Sequence, residues 1–160
     1  FQEPQVTTPV AEKENASNNG TKPITATKPD TVSTFIYLSF DDGPQPGTMA
    51  CYNICESLQV PATFYMIGTH ATDRRGKLWL DSVRRNPQFL LANHSYTHAY
   101  HNRYQQFYTQ PANALNDFIK ANDSLQVPYA IARFPGNNVW ALNGRFRTTK
   151  LTRPLAHAMD

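Results

Sequence analysis

Two adjacent carboxylates and a pair of histidines are the residues of this chain with the clearest chemical use. Asp41 and Asp42 follow a strand-like run at 34–40 and precede a Gly-Pro turn. His94 and His98 are four residues apart, which places both rings on one face if the segment turns as a helix. One carboxylate and two imidazoles leave coordination positions of a metal open, and the second carboxylate remains as a base. The pattern indicates metal-dependent hydrolysis.

Each half of this pattern has an ordinary structural interpretation when it stands alone. Asp-Asp-Gly-Pro is more often a turn with Asx hydrogen bonds, and a histidine pair is more often a surface or capping feature. Together the two halves favour a site, because neighbours on an extended backbone point in opposite directions and can take separate tasks. An Fe²⁺ oxygenase would usually read His-x-Asp followed by a distant histidine, whereas here the aspartates precede a close histidine pair.

Three segments, in order, resemble the first three motifs of the polysaccharide deacetylases (NodB-homology domain, carbohydrate esterase family 4). They read Ser-Phe-Asp-Asp-Gly-Pro at 39–44, Asn-His-Ser-Tyr-Thr-His at 93–98 and Arg-Phe-Pro-Gly at 133–136. The linking segment Pro-Ala-Thr-Phe-Tyr-Met-Ile-Gly at 61–68 is also typical of the family. The resemblance covers about residue 34 to the C-terminus and implies a deacetylase on a distorted (β/α) barrel.

The resemblance implies metal-binding and acid–base roles for residues of all three motifs. Asp42, His94 and His98 are the implied metal ligands, with Zn²⁺ as the first choice and Co²⁺, Ni²⁺ or Fe²⁺ as alternatives. Asp41 is the implied general base, which takes a proton from the attacking water. Arg133 is the implied cation beside that base, since a guanidinium can hold a carboxylate through two hydrogen bonds.

The rest of the third motif is expected to face the substrate. Phe134 and Pro135 would line a groove for the sugar. Gly136 stands where many relatives have a tyrosine, and its backbone N–H would point at the developing oxyanion. Tyr96, between the two histidines, is expected to serve packing.

Two family motifs are missing from their expected places, an aspartate-tryptophan segment and a Leu-x-His segment that carries the general acid. Leu-Ala-His at 155–157 spells the second, but it follows Arg133 too closely and falls in a predicted helix. A catalytic role for His157 is therefore the minor reading. His70 and His101 are expected to be surface residues or to support the ligands.

Strands that alternate with helices predict an α/β fold with parallel strands. The predicted strands are 35–40, 62–67, 88–92 and 129–134, and the predicted helices are 48–58, 77–85, 111–122 and one from about 142 to the end. All three motifs follow strands, at the edge where ligands of such sheets gather. About four βα units fit, so we expect about half of a barrel. Bare parallel edges are rarely tolerated, so the edge near Phe134, Trp140 and Leu142 is expected to be covered by more of the chain, a complementing chain or a second copy in a homodimer.

Composition bounds the remaining possibilities. The 160 residues have room for one ordinary domain, which we assign to 34–160. Residues 1–33 are rich in Thr, Pro, Asn and Lys without an apolar face, which predicts a disordered linker. The start at Phe1 and this polar linker favour a processed, exported protein, in the periplasm, at the cell surface or secreted. A net charge of +3 with scattered basic residues argues against nucleic acid, and no apolar run suggests a membrane span.

Cys51 and Cys55 are the only cysteines, and three interpretations stay open for them. They can be two small buried residues, a disulfide that closes a very short loop, or a metal pair.

The expected function is a metal-dependent hydrolase that removes acetyl groups from an N-acetylated polysaccharide, peptidoglycan or chitin-like, with O-acetyl esters as a second substrate class. The alternative is a non-catalytic carbohydrate-binding or structural module that keeps the metal site but lacks part of the catalytic apparatus.

Overall fold

A three-stranded parallel sheet in the order β1-β2-β3 is the centre of the described structure. The computed structural model describes residues 35–136 and 151–159. The strands are β1 (Ser39–Gly43), β2 (Ala62–Met66) and β3 (Phe89–Asn93). Beyond β3, Ala132 forms one isolated parallel bridge with Asn93. The parallel order confirms the α/β prediction, whereas the predicted linker at 1–33 and the positions Trp140 and Leu142 lie outside the described residues.

Helices connect the strands and follow the last of them. They are α1 (Pro46–Ser57), a 3-10 turn (Gly68–Ala71), α2 (Arg74–Arg85), α3 (His98–Asn102), α4 (Tyr104–Tyr108), α5 (Pro111–Leu125) and α6 (Arg153–Met159). Proline occupies the first turn of α1 and α5, where its missing N–H costs nothing. The Asp73 carboxylate accepts a 2.6 Å hydrogen bond from the Gly76 N–H at the start of α2. Among the described helices, none has the length and apolar character that a bilayer crossing needs.

Two apolar clusters hold these elements together. The first lies between the sheet and helices α1, α2 and α5, and includes Phe64, Met66, Leu80, Val83, Phe89 and Leu91. The second joins the helices after β3 and includes Phe107, Tyr108, Ala114, Phe118 and Leu155. Alternate residues of β2 enter the first cluster, so its other residues, Thr63 and Tyr65, lie on the opposite face of the sheet.

Several predicted elements are corrected by the structure. The first strand begins at Ser39, not at residue 35, and Phe35, Ile36 and Tyr37 are exposed. The first paired residue of β1 is Ser39, which lies opposite Thr63 near the start of β2. Residues 35–37 therefore lie beyond the end of β2 and have no strand residue to pair with there. The predicted strand at 129–134 is reduced to the bridge at Ala132. Helices α3 and α4 were not predicted, because the short segments around them carry no helical apolar period.

Two glycines give a matched test of the packing around α2. A Cβ at Gly76 would collide with the backbone carbonyl of His70, while one at Gly47 in α1 meets nothing within 4 Å. We therefore expect Gly76→Ala to lower the free energy of unfolding by about 1–3 kcal/mol, as overpacking does. Gly47→Ala should raise it slightly, by about 0.5 kcal/mol, because alanine is the better helix former. Urea unfolding of both variants measures this, and equal midpoints would contradict the described packing.

Candidate active site

The two aspartates lie in an irregularity of β1. Phe40 pairs with Phe64 and Gly43 pairs with Met66, so Asp41 and Asp42 together stand opposite the single residue Tyr65. Such a bulge bends the strand and changes the direction of its side chains. Asp42 has a φ of 67°, a left-handed conformation that aspartate tolerates better than most residues. The bulge, rather than simple strand alternation, gives the two carboxylates different neighbours.

Asp42, His94 and His98 bring one ligand atom each to a common point. Asp42 Oδ1 lies 3.3 Å from Nε2 of His94 and 3.1 Å from Nε2 of His98. All three atoms lie within 4.8 Å of one another. His94 directly follows β3, and His98 opens α3, so the three side chains come from the carboxyl ends of β1 and β3, which lie on either side of β2. The structure thus brings these three predicted site residues together.

His94 is held as a neutral imidazole with a defined tautomer. Its side chain is 4% exposed, and its Nδ1 lies 2.8 Å from the backbone carbonyl oxygen of Arg133. A carbonyl oxygen only accepts, so Nδ1 carries the hydrogen and Nε2 presents its lone pair to Asp42. Burial lowers the pKa of His94, and the Arg133 carbonyl and the Asp41 and Asp42 carboxylates offset this only in part.

Asp42 Oδ1 is a buried oxygen without a hydrogen-bond donor. The two imidazole nitrogens are near it, but the neutral His94 offers a lone pair rather than a hydrogen at that distance. Lone pairs of a carboxylate and of an imidazole that face each other are unfavourable unless a cation lies between them. A carboxylate with two imidazoles is also a donor set that Zn²⁺ and its neighbours in the first transition series accept. The residues therefore fit a divalent metal ion.

His98 begins a segment with an unusual backbone. Every residue from His98 to Asn102 has a φ between 50° and 70°, so α3 is a left-handed turn rather than a regular α-helix. Each non-glycine residue in this conformation costs about 1–2 kcal/mol. The turn is held by the hydroxyl of Ser95, which accepts from the Ala99 N–H, and by that of Thr97, which accepts from the Tyr100 N–H. The two histidines therefore meet through this turn and not on the face of a regular helix.

Arg133 contacts both halves of the site. Its Nη1 donates to Asp41 Oδ1 at 2.7 Å and to Ser39 Oγ at 3.0 Å, while its carbonyl accepts from His94. The guanidinium carbon lies 4.0 Å from the centre of the Tyr65 ring, a cation–π contact. The arginine therefore holds Asp41 through one hydrogen bond and uses a second on Ser39. Ser39 and Tyr65 lie in the segments that carry the family resemblance, but their contacts with Arg133 were not predicted.

The rest of the third motif is less exposed than predicted. Pro135 is fully buried, and its carbonyl accepts a 2.6 Å hydrogen bond from the Tyr108 hydroxyl. The half-buried Phe134 packs its ring on Tyr108 and Phe118. Pro135 is thus unavailable to line a groove. Gly136 is exposed with a φ of 65°, and a Cβ there would collide with the Tyr104 ring, so the position requires glycine.

Other sequence candidates stand apart from the three ligand atoms. His70 is exposed, and its Nδ1 lies 3.0 Å from the carbonyl oxygen of Asp42, to which it donates. His157 is exposed on α6, where Nε of Arg153 lies 3.3 Å from its Nε2. Cys51 is a half-buried free thiol, and Cys55 is a buried one whose pKa is raised by burial. No disulfide joins these two cysteines in the structure.

Comparison with known proteins identifies the family. Residues 28–138 match the sequence profile described as polysaccharide deacetylase. This match covers more than half of the chain, so the chain belongs to the polysaccharide deacetylase family.

Individual relatives agree with this assignment. The chain is 39% identical over 82 residues to the chitin disaccharide deacetylase of Vibrio alginolyticus, covering 45% of this chain and 18% of that protein. It is 42% identical over 66 residues to a chitooligosaccharide deacetylase of Rhizobium leguminosarum bv. trifolii, covering 39% of this chain and 28% of the relative. The matched regions are therefore less than a third of each relative's length.

A solved structure has the same fold. The family 4 carbohydrate esterase from Streptomyces lividans, in complex with acetate, superposes with a TM-score of 0.57 at 19% identity, covering 78% of this chain and 58% of that one. At this identity the similarity concerns the fold. The prediction of a partial barrel of the polysaccharide deacetylase type is confirmed.

The neutral state of His94 makes the stability of the metal-free protein depend on pH. Its pKa is lowered from the ordinary value of 6.5, so the unfolded chain binds more protons than the folded chain as the pH falls through 6.5. The contribution is complete above that pH and is lost progressively below it. We expect the free energy of unfolding, measured with urea in the presence of EDTA, to fall between roughly pH 7.5 and roughly pH 5.5.

Two variants separate the contribution of His94 to this pH dependence from the contributions of other titrating groups. His94→Gln should show a smaller loss over this range than the wild type, because the titrating group is gone. His157→Gln, which removes an exposed histidine, is the matched control and should keep the wild-type slope. Identical slopes for wild type and His94→Gln would contradict a neutral buried His94.

Proposed function

We propose that this chain is a metal-dependent hydrolase that removes acetyl groups from an N-acetylated polysaccharide, chitin-like or peptidoglycan. The observation that carries the proposal is the convergence of Asp42 Oδ1, which has no hydrogen-bond donor, with Nε2 of His94 and of His98. Zn²⁺ is the ion we assign first, and Co²⁺, Ni²⁺ or Fe²⁺ would accept the same ligands. Membership of the deacetylase family and the printed activities of the two chitin-type relatives support the substrate class.

Asp42, His94 and His98 would hold the ion. Bound there, a divalent ion supplies Lewis-acid chemistry, polarising the acetyl carbonyl and lowering the pKa of water. The Arg133 carbonyl keeps the hydrogen on Nδ1 of His94, so that Nε2 remains free to act as a ligand. The buried position of His94 also keeps bulk water from competing for this nitrogen.

Asp41 takes the proton of the attacking water in this proposal. Its carboxylate is 37% exposed, so it is accessible to solvent and substrate, and Nη1 of Arg133 donates to it at 2.7 Å. This charge-assisted hydrogen bond fixes the position of the carboxylate. The oxygen of water then bonds to the acetyl carbon and the C–N bond breaks. The leaving nitrogen takes a proton from solvent, and Asp41 releases to solvent the proton it had accepted, so that the amine and acetate are the products.

Two groups remain for the substrate side. The exposed Gly136 offers a backbone N–H to the developing oxyanion, a task that needs no side chain. The accessible part of Phe134 is the aromatic surface that we assign to the sugar, while the fully buried Pro135 is left out. We also propose that the protein works outside the cytoplasm, where cell-wall and chitin-like polymers are found.

A non-catalytic module is the second candidate. The observation in its favour is that, within residues 35–136 and 151–159, we assign no general acid. His157 ends the segment that resembles the general-acid motif, but its Nε2 accepts a hydrogen bond from Nε of Arg153. An intact protein that binds Zn²⁺ tightly but releases no acetate from any acetylated glycan would favour this alternative.

The two adjacent aspartates give a matched pair of variants. Asp41→Asn should keep bound metal and lower the rate of acetate release by about 10²–10⁴-fold, because it removes the base and keeps the shape. Asp42→Asn should lose the metal and the activity together. The measurements are metal content by elemental mass spectrometry and acetate release from an acetylated chitooligosaccharide, using the intact protein.

Asp123→Asn is the control, since it changes an exposed aspartate on α5. It should match the wild type in both measurements. If Asp41→Asn loses metal as completely as Asp42→Asn, the roles of the two carboxylates are misassigned.

A further inference from the structure

A buried aspartate on α5 binds the loop that carries the two histidines. Asp117 is 8% exposed and lies on the apolar face of α5, beside Ala114, Phe118 and Ala121, which are fully buried. Charged side chains are almost never buried unless they are paired. A carboxylate at this position therefore has a task other than packing.

The partners of Asp117 are all in the short loop between His94 and His98. Its Oδ2 accepts from the backbone N–H of Tyr96 at 2.8 Å and of Thr97 at 3.0 Å. Its Oδ1 accepts from the Thr97 hydroxyl at 2.8 Å. Charge-assisted hydrogen bonds of this kind are stronger than neutral ones, and both N–H groups lie outside any strand or regular helix that could satisfy them.

Thr97 connects Asp117 to the left-handed turn that begins at His98. While its hydroxyl donates to Asp117, the same oxygen accepts from the Tyr100 N–H at 2.9 Å, inside the left-handed turn. A backbone in this conformation persists only where its surroundings fix it. Asp117 is thus connected through one threonine to the turn that aims the His98 ring.

The other end of the loop has its own connection to α5. The Asn93 amide donates to the carbonyl of Phe118 at 2.9 Å, and its oxygen accepts from the Ser95 N–H at 2.7 Å. The ammonium of Lys120 lies 3.9 Å from the centre of the Tyr96 ring. Helix α5 therefore contacts the loop at Asn93, at Tyr96 and at Thr97, and Asp117 makes the contacts with the last two backbone N–H groups.

We propose that Asp117 is a positioning residue for the metal site, which sets the spacing of His94 and His98 through the Tyr96–Thr97 backbone. The inference rests on the proposed metal site and concerns a residue that touches neither metal nor substrate. Outer partners of ligand residues typically contribute about 10- to 100-fold to metal affinity. Asp117 should contribute within this range, because it constrains the segment that joins two of the three ligands.

The test is the dissociation constant for Zn²⁺, measured by competition with a chromophoric chelator on the intact protein. Asp117→Ala should weaken binding about 10- to 100-fold. Thr97→Val removes, at nearly constant shape, the hydrogen bond to Asp117 and the one accepted from the Tyr100 N–H, and it should weaken binding about 2- to 10-fold. Asp123→Ala, on the exposed side of the same helix, should stay within about twofold of the wild type.

Amide hydrogen exchange of Tyr96 and Thr97 in the metal-free protein provides a second measurement. In Asp117→Ala both amides should exchange faster, while those in β2 keep their protection. A Zn²⁺ affinity within about twofold of wild type for folded Asp117→Ala would overturn the inference. If that variant does not fold, unchanged affinity in Thr97→Val overturns it instead. If the wild type binds no metal, the proposed function itself is refuted. If the wild type binds metal but no more tightly than Asp117→Ala, only the inference about Asp117 is refuted.

Discussion

The hydrogen bond from Nδ1 of His94 to the carbonyl oxygen of Arg133 is the interaction on which the whole site depends. It joins the end of β3 to the third motif, and Ala132, just before that motif, forms the one isolated bridge to the sheet among the described residues. On one side it fixes the tautomer that leaves Nε2 of His94 available as a ligand. On the other side it fixes the backbone of Arg133, whose guanidinium meets Asp41. Arg133 therefore contacts the proposed ligand His94 through its carbonyl and the proposed base Asp41 through its guanidinium.

Strained backbone is the cost of this arrangement, and most of it lies at the site, although Gln59 and Gln126 at helix ends also have positive φ values. Asp42 in the bulge and the residues of the left-handed turn have positive φ values without being glycine. Such conformations are expected where a site must be aimed more finely than regular elements allow. The compensating contacts come from strongly paired polar groups: the Ser95 and Thr97 hydroxyls and the Asp117 carboxylate. Stability and function are thus linked through α5, which supports the loop from outside the site.

Much of the site could be predicted from the sequence, because its signals are local. Motif residues that follow apolar strands must meet at the carboxyl edge of a parallel sheet, and Asp42, His94 and His98 do so. Helices with a proline in the first turn, such as α5, were also found to within a few residues.

The wrong sequence predictions have physical causes that cannot be read from a local sequence pattern. The apolar residues at 35–38 have strand composition, but β2 begins at Ala62 and gives them little to pair with. The bulge at Asp41 and Asp42 depends on register, and the left-handed turn depends on hydrogen bonds from residues before it and from α5. Asp117 was overlooked although a signal existed, a single carboxylate on the apolar face of an otherwise ordinary helix. Pro135 was assigned to the sugar groove by resemblance, whereas its side chain is fully buried and its carbonyl accepts from the Tyr108 hydroxyl.

The most direct test of the central claim is an anomalous diffraction measurement at the zinc absorption edge on crystals grown with Zn²⁺. The account predicts one strong peak about 2.0–2.2 Å from Asp42 Oδ1 and from Nε2 of both His94 and His98. Nδ1 of His94 should still contact the Arg133 carbonyl in that structure. A peak elsewhere, or a His94 ring turned so that Nδ1 faces Asp42, would contradict the account.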